Sequence, residues 1–152
     1  MKPFTVLLLL LVPLVLPAVS LASTAELEWN QERVTALARD LIDPLEALRA
    51  DLESRPPVAG KETARAAVMN VVERLQVRAG ELVQRLAGGA GRAETAALFR
   101  EVEALQNEAA KRSKEYPAPF DMHVYISRVQ GTTIQLARYY GEPSDSRDGS
   151  HS

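Results

Sequence analysis

The chain contains no cysteine and only two histidines. The absence of cysteine excludes disulfides, thiolate catalysis, thiolate metal sites, covalent haem attachment and a lipoprotein acyl anchor. Neither His123 nor His151 is accompanied by a nucleophile signature such as G-x-S-x-G. We therefore expect a domain held together by its apolar core alone and without catalytic function.

The chain also lacks an excess of charge of either sign. It carries 18 lysines and arginines against 20 aspartates and glutamates, so its net charge is only −2. Nucleic acid and acidic membranes attract strongly basic chains. The composition therefore predicts neither as a partner.

Long hydrophobic runs are confined to residues 1–22. This run follows a basic start and ends in Ser20 and Ala22, small residues at the two positions that a signal peptidase reads. It predicts a signal peptide cleaved near Ala22 and a periplasmic or secreted protein. The run is nearly as long as the ~20 residues of a membrane span. An uncleaved anchor, weakened by Pro13 and Pro17, is thus the alternative, and membrane attachment is expected only through it; an amphipathic role on the membrane surface fits the capped, loop-punctuated layout less well than self-association.

The rest of the chain has apolar residues spaced for helices that pack on helices. The clearest stripe runs from Val68 to Leu86 in steps of 4, 3, 4, 3 and 4 residues. Such stripes with short loops predict an all-α, antiparallel up-down-up-down four-helix bundle with shallow left-handed, coiled-coil-like crossings. A polar tail without apolar residues, 141–152, is expected to be disordered. The predicted helices cover about 24–53, 61–87, 92–115 and 121–140.

Single residues refine these helices. Ser23 and Glu26 fit a capping box at the start of the first helix, and Asp121 fits an N-cap for the fourth. Pro44 interrupts the first helix, but the apolar stripe keeps its phase, so we expect one kinked helix. Gly131 within the fourth helix costs about 1 kcal/mol relative to alanine.

A row of arginines on the second helix is one potential partner surface. Arg74, Arg78 and Arg85 share one side of that helix. They could bind an acidic partner, or they could form a solvated flank that pairs with the first helix, where acidic residues predominate. The flank is the favoured interpretation, because charge rows usually serve solvation.

Aromatic residues are a second potential partner surface. In an antiparallel bundle Trp29 shares one end with Tyr139 and Tyr140. Exposed aromatic side chains there would suit a binding patch or a dimer contact. Trp29, which lies off the first stripe, could equally pack against the fourth helix.

A small-ligand pocket between helices is the alternative site, around Met122, His123 and Tyr125. A di-iron centre would need Glu-x-x-His pairs, which the sequence lacks. Haem held without covalent bonds would need two facing axial ligands, for which Met122, His123 and Met69 are the only residues available. We therefore expect no metal and no cofactor, and we interpret His123 as a residue of the first helical turn.

These observations together predict an exported, non-catalytic helical-bundle binding module. Its role would be protein interaction, or a chaperone-like function, in the cell envelope or the extracellular space. The partner is an unidentified protein, and a homodimer is an open alternative. A small-ligand or haem-type bundle is the competing function.

Overall fold

A computed structural model describes residues 26–116 and 120–141. Over these ranges the chain is all-helical and has no strand, as the periodicity predicts. None of the helices in these ranges is both long enough and apolar enough to cross a membrane. The five helices are α1 (Gln31–Arg39), α2 (Ile42–Ser54), α3 (Glu62–Ala87), α4 (Arg92–Ser113) and α5 (Phe120–Tyr140).

The first predicted helix begins later than its sequence suggests. Residues 26–30 are not helical. Asn30 is the N-cap of α1, because its side chain accepts a hydrogen bond of 2.8 Å from the amide of Arg33. Glu26, expected to close a capping box, makes an ion pair with Arg92 of α4 instead. The other half of that box, Ser23, lies outside the described residues.

The same predicted helix is broken in two, which corrects the expected continuous helix. Asp40 and Leu41 separate α1 from α2. Pro44 has no amide to donate to the carbonyl of Asp40, and the amide of Leu41 bonds the carbonyl of Ala38, at 3.3 Å, in a tighter turn. The backbone at Asp40 and Leu41 nevertheless stays in the right-handed helical region. The stripe therefore keeps its phase, and Leu41 and Leu45 are both buried.

The remaining helices match their predicted bounds to within two residues. A turn at Gly88–Gly91 separates α3 from α4, and Gly89 within it has a φ of 90° that favours glycine. The predicted signal peptide (1–22), residues 117–119 and most of the polar segment predicted to be disordered (142–152) lie outside the described residues. The side chain of Asp121 is also outside them.

If α1 and α2 are taken as one unit, each helix packs against two neighbours. The α1–α2 pair contacts α3 and α5, and α4 also contacts α3 and α5; among the described residues, the backbones do not approach closely across either diagonal. Gln31, at the start of α1, donates to the carbonyl of Leu86 near the end of α3. Arg65, near the start of α3, donates to the carbonyl of Leu52 near the end of α2.

The core consists of two apolar clusters. The predicted stripe of α3 is buried at all six positions, from Val68 to Leu86, which confirms that it faces the core. The larger cluster includes Leu37, Leu75, Phe99 and Leu136. The smaller one lies near the end of α2 and the start of α3 and consists of Leu48, Leu52, Val68, Val72, Tyr116 and Met122.

Candidate functional site

Three aromatic rings meet where α5 ends. Trp29 approaches Tyr140 edge-on, with ring centroids 5.3 Å apart and an interplanar angle of 77°. Phe99 stacks on the ring of Tyr140, with centroids 4.3 Å apart and planes 5° apart. The structure therefore brings Trp29 and Tyr140 together, with a third ring from α4 that the sequence did not single out.

Hydrogen bonds tie these rings to neighbouring helices. The indole of Trp29 donates to the side-chain oxygen of Gln31 at 2.9 Å. The amide nitrogen of Gln31 in turn donates to the carbonyls of Leu86 and Ala90, at 2.8 and 2.9 Å. The polar edge of Trp29 is thus joined through Gln31 to the end of α3.

The hydroxyl of Tyr140 lies 2.8 Å from that of Thr95, which is fully buried. Burial raises the pKa of Tyr140, and the hydrogen bond with Thr95 opposes that rise. Trp29 and Tyr139 are partly buried and pack against the larger core cluster. Trp29 therefore packs against α5, which is one of the two arrangements that the sequence allows, and does not form an exposed aromatic patch.

Of the three residues of the expected ligand pocket, Met122 and Tyr125 lie at the smaller cluster, but His123 does not face it. Met122 is buried in the smaller cluster, His123 is exposed, and Tyr125 is partly buried at the cluster's edge. Consecutive side chains on a helix diverge by about 100°, so Met122 and His123 do not face a common ligand. Within the described ranges no three histidine, aspartate or glutamate side chains are grouped as metal ligands would be.

The arginine row of α3 pairs with α4 and with its own helix, not with the first helix as expected. Arg74 pairs with Glu108 at 3.6 Å, and Arg78 pairs with Glu101 at 2.9 Å. Arg85 pairs with Glu81 on its own helix at 2.8 Å. Hydrogen bonds from Arg78 and Arg85 lower the pKa of Glu81, and the bond from Arg78 has the larger effect. These carboxylates neutralise the row, which therefore does not suit a purely acidic partner.

Two of those arginines line a groove between α3 and α4. Its volume is about 570 Å³, and Ala104 and Leu105 form part of its lining. Val77 lies in this groove and is 66% exposed, the most exposed of the large apolar side chains in the described residues. The two ion pairs between α3 and α4, Arg74–Glu108 and Arg78–Glu101, flank it. We call this feature the α3–α4 groove.

The sequence contained a signal for this groove. At about 100° per residue, Val77 lies about 180° from Val68, on the side of α3 opposite the buried stripe. An apolar side chain among charged residues on the outer side of a helix is not explained by the core. The side of the groove that α4 forms had no such signal in the sequence, because it depends on how the two helices are aligned.

A second groove lies between the α1–α2 break and α5. Its volume is about 440 Å³. Asp40, Asp43 and Pro44 line one side, and Arg128 and Gly131 are on the other. The two helix-breaking residues that the sequence marked, Pro44 and Gly131, thus line one groove, which we call the α2–α5 groove.

The chain was also compared with known proteins. No family model, no curated protein and no solved structure matches it. Any assignment of function therefore depends on the geometry of this chain, and above all on its two grooves.

Proposed function

We propose that this protein is an exported, non-catalytic binding module that holds a partner protein through the α3–α4 groove. The observation that carries the proposal is the exposure of Val77, 66%, inside a groove flanked by ion pairs between two helices. Apolar contacts inside a polar rim are typical of protein interfaces. The groove would accept an apolar side chain of the partner over Val77 and Ala104.

The rim of the groove indicates what would lie beside that apolar side chain. The side chains of Arg74 and Arg78 are about half exposed, as is that of Glu101, and ion pairs this exposed contribute only about 0–1 kcal/mol each. A partner can therefore exchange them for its own charges at little cost. A segment with one apolar residue between an acidic and a basic residue fits this rim best.

The proposal includes an antiparallel up-down-up-down bundle with shallow left-handed crossings. It is supported by the contacts that join the start of α1 to the end of α3 and the start of α3 to the end of α2. It is also supported by the pairing of each helix with only two neighbours. Such a bundle would hold the two walls of the groove rigidly, which lowers the entropy cost of binding.

Export is proposed from residues 1–22, which lie outside the described residues. Their basic start, apolar run and small residues near Ala22 support a cleaved signal and a place in the periplasm or outside the cell. Mass spectrometry of the protein from its own cells distinguishes this from an anchor. An intact Met1 on membrane-bound material would contradict cleavage.

Site-specific photo-crosslinking in living cells tests the binding function. A benzophenone amino acid replaces Val77 in one variant, and exposed apolar residues elsewhere, Val58 (44% exposed) and Ile134 (58% exposed), in two controls. We expect a discrete adduct from position 77 alone. The substitution Ala104→Trp, which fills the groove, should remove that adduct while circular dichroism shows an intact fold.

Two other results are informative. An adduct with twice the mass of the chain would identify a second copy as the partner. Equal adducts from all three positions, or none from position 77, would contradict the proposed groove.

A further inference from the structure

The α2–α5 groove carries charges of both signs that the structure leaves unpaired. Among the described residues, the side chains of Asp40, Asp43 and Arg128 make no ion pair and no hydrogen bond. Every arginine of α3 and α4, by contrast, pairs with a carboxylate or bonds a backbone carbonyl, although exposed arginines elsewhere, such as Arg39 and Arg138, also make no ion pair within the described residues. Opposite charges therefore line the two sides of one groove without forming an ion pair across it.

Gly131, which lines the same groove, is a second observation. A glycine inside a helix costs about 1 kcal/mol relative to alanine, and packing against a neighbouring helix is the usual reason to keep one. Here an added Cβ would meet no atom within 4 Å. Packing within the described chain therefore does not require this glycine, and its lack of a side chain leaves the backbone of α5 open to a ligand in the groove.

We propose that the α2–α5 groove binds a small zwitterion that carries an ammonium group and a carboxylate group, as amino acids do. The ammonium group contacts Asp40 and Asp43, and the carboxylate contacts the guanidinium of Arg128, whose planar donors suit bidentate pairing. The carbon chain between them crosses Gly131. This site is independent of the α3–α4 groove.

The α2–α5 groove also differs from the pocket expected around Met122. That pocket required Met122 and His123, whose side chains diverge on one helix, to face the same ligand. Here the charged groups come from two elements that face each other across a cavity of about 440 Å³. The break between α1 and α2, at Asp40 and Leu41, lies beside the groove, and Asp40 lines the groove together with Gly131.

Nuclear magnetic resonance titration of the protein tests this binding site. The probe is 5-aminopentanoate, and the two matched controls are pentylamine and pentanoate, which carry one charge each. We expect saturable amide shifts in residues 40–44 and 127–135 with 5-aminopentanoate. Each control should bind about fivefold more weakly, since an exposed charge contact contributes up to about 1 kcal/mol.

Substitutions assign the contacts. Arg128→Gln and Asp43→Asn should each raise the Kd about fivefold, and Gly131→Leu should abolish binding by filling the groove. Arg138→Gln is the control, because Arg138 is an exposed arginine on the same helix outside the groove. Circular dichroism checks the fold of each variant. If Gly131→Leu unfolds the protein, Arg128→Gln still tests the site, because a substitution at this exposed position should leave the fold intact.

Three results would overturn the proposal. The first is shifts that grow without saturating, and the second is binding of 5-aminopentanoate that Arg128→Gln leaves unchanged. The third is saturable binding of a peptide with lysine and glutamate side chains but not of the free zwitterion, which would assign the groove to a protein segment instead.

Discussion

The ring of Phe99 stacks on that of Tyr140, with centroids 4.3 Å apart and planes 5° apart. This contact joins the middle of α4 to the last residue of α5. Arg92 of α4 also donates to the carbonyl of Tyr140, at 2.8 Å, and satisfies one of the carbonyls that a helix end leaves free. The end of α5 is therefore fixed by α4 through both its ring and its backbone.

Replacing Phe99 by alanine should destabilise the protein strongly. Phe99 is 0% exposed, and loss of a fully buried phenylalanine costs about 3–5 kcal/mol through lost burial and the cavity left behind. Urea unfolding followed by circular dichroism measures this loss. Val77→Ala, at an exposed position, is the control and should change stability by less than about 0.5 kcal/mol. A loss below about 1 kcal/mol for Phe99→Ala would contradict the full burial of Phe99.

Leu75→Ala tests the stripe of α3. Leu75 is 1% exposed in the larger cluster, so its truncation should cost about 2–5 kcal/mol. For a protein whose total stability is about 5–15 kcal/mol, the urea midpoint should fall visibly. Gln84→Ala on the exposed side of the same helix is the matched control. Equal midpoints for the two variants would show that the stripe does not face the core.

The helices with unbroken stripes could be predicted from the sequence. In α3, burial follows the helical period, so spacing alone identifies its inward residues. The start of α1 could not be predicted in this way. Ser23 and Asn30 are both good caps, and residues 26–30 are held by a distant contact, the bond from the amide of Leu27 to the carbonyl of Arg138. Such a contact has no local sequence signal.

The candidate sites were predictable only where one helix determines them. The sequence placed Arg74 and Arg78 on one side of a helix, but their partners on α4 depend on the alignment of two helices. Trp29 precedes α1, so the helical period says nothing about its direction. The α2–α5 groove combined two marked residues, Pro44 and Gly131, that lie far apart in the chain and meet only in the fold.

The raised pKa of Tyr140 predicts a loss of stability in alkaline solution. Burial raises this pKa in the folded state, so the unfolded chain, with an ordinary tyrosine pKa of about 10, loses the proton more readily. The stabilisation is complete below that pH and is lost as the pH rises above it. Melting temperatures measured from pH 8 upward should fall more steeply above this point for the wild type than for Tyr140→Phe.

The same substitution also removes the hydrogen bond with Thr95, which should cost about 1 kcal/mol at neutral pH. Tyr125→Phe, at a partly exposed position outside this cluster, corrects for the general loss of a tyrosine hydroxyl. Parallel alkaline curves for the wild type and Tyr140→Phe would show that ionisation of Tyr140 is not linked to unfolding.

Substitution of three glycines by alanine should separate helix propensity from backbone strain. Gly80 and Gly131 lie inside helices, and a Cβ added to either meets no atom within 4 Å. Alanine at each position should therefore stabilise the protein by about 0.5–1 kcal/mol. The unfolding midpoint in urea measures both gains, and a loss of stability at either position would mean that a neighbour packs closely against that glycine.

Gly141 should respond in the opposite direction. Its φ is +70°, and an added Cβ would lie 2.6 Å from the guanidinium nitrogen of Arg92 and 2.8 Å from a carboxylate oxygen of Glu26. Gly141→Ala should therefore cost more than about 1 kcal/mol, through the left-handed backbone and the disturbed ion pair. In the variant Glu26→Ala that pair is already absent, so the added cost of Gly141→Ala should shrink but not vanish. An unchanged cost would assign the whole effect to the backbone of Gly141.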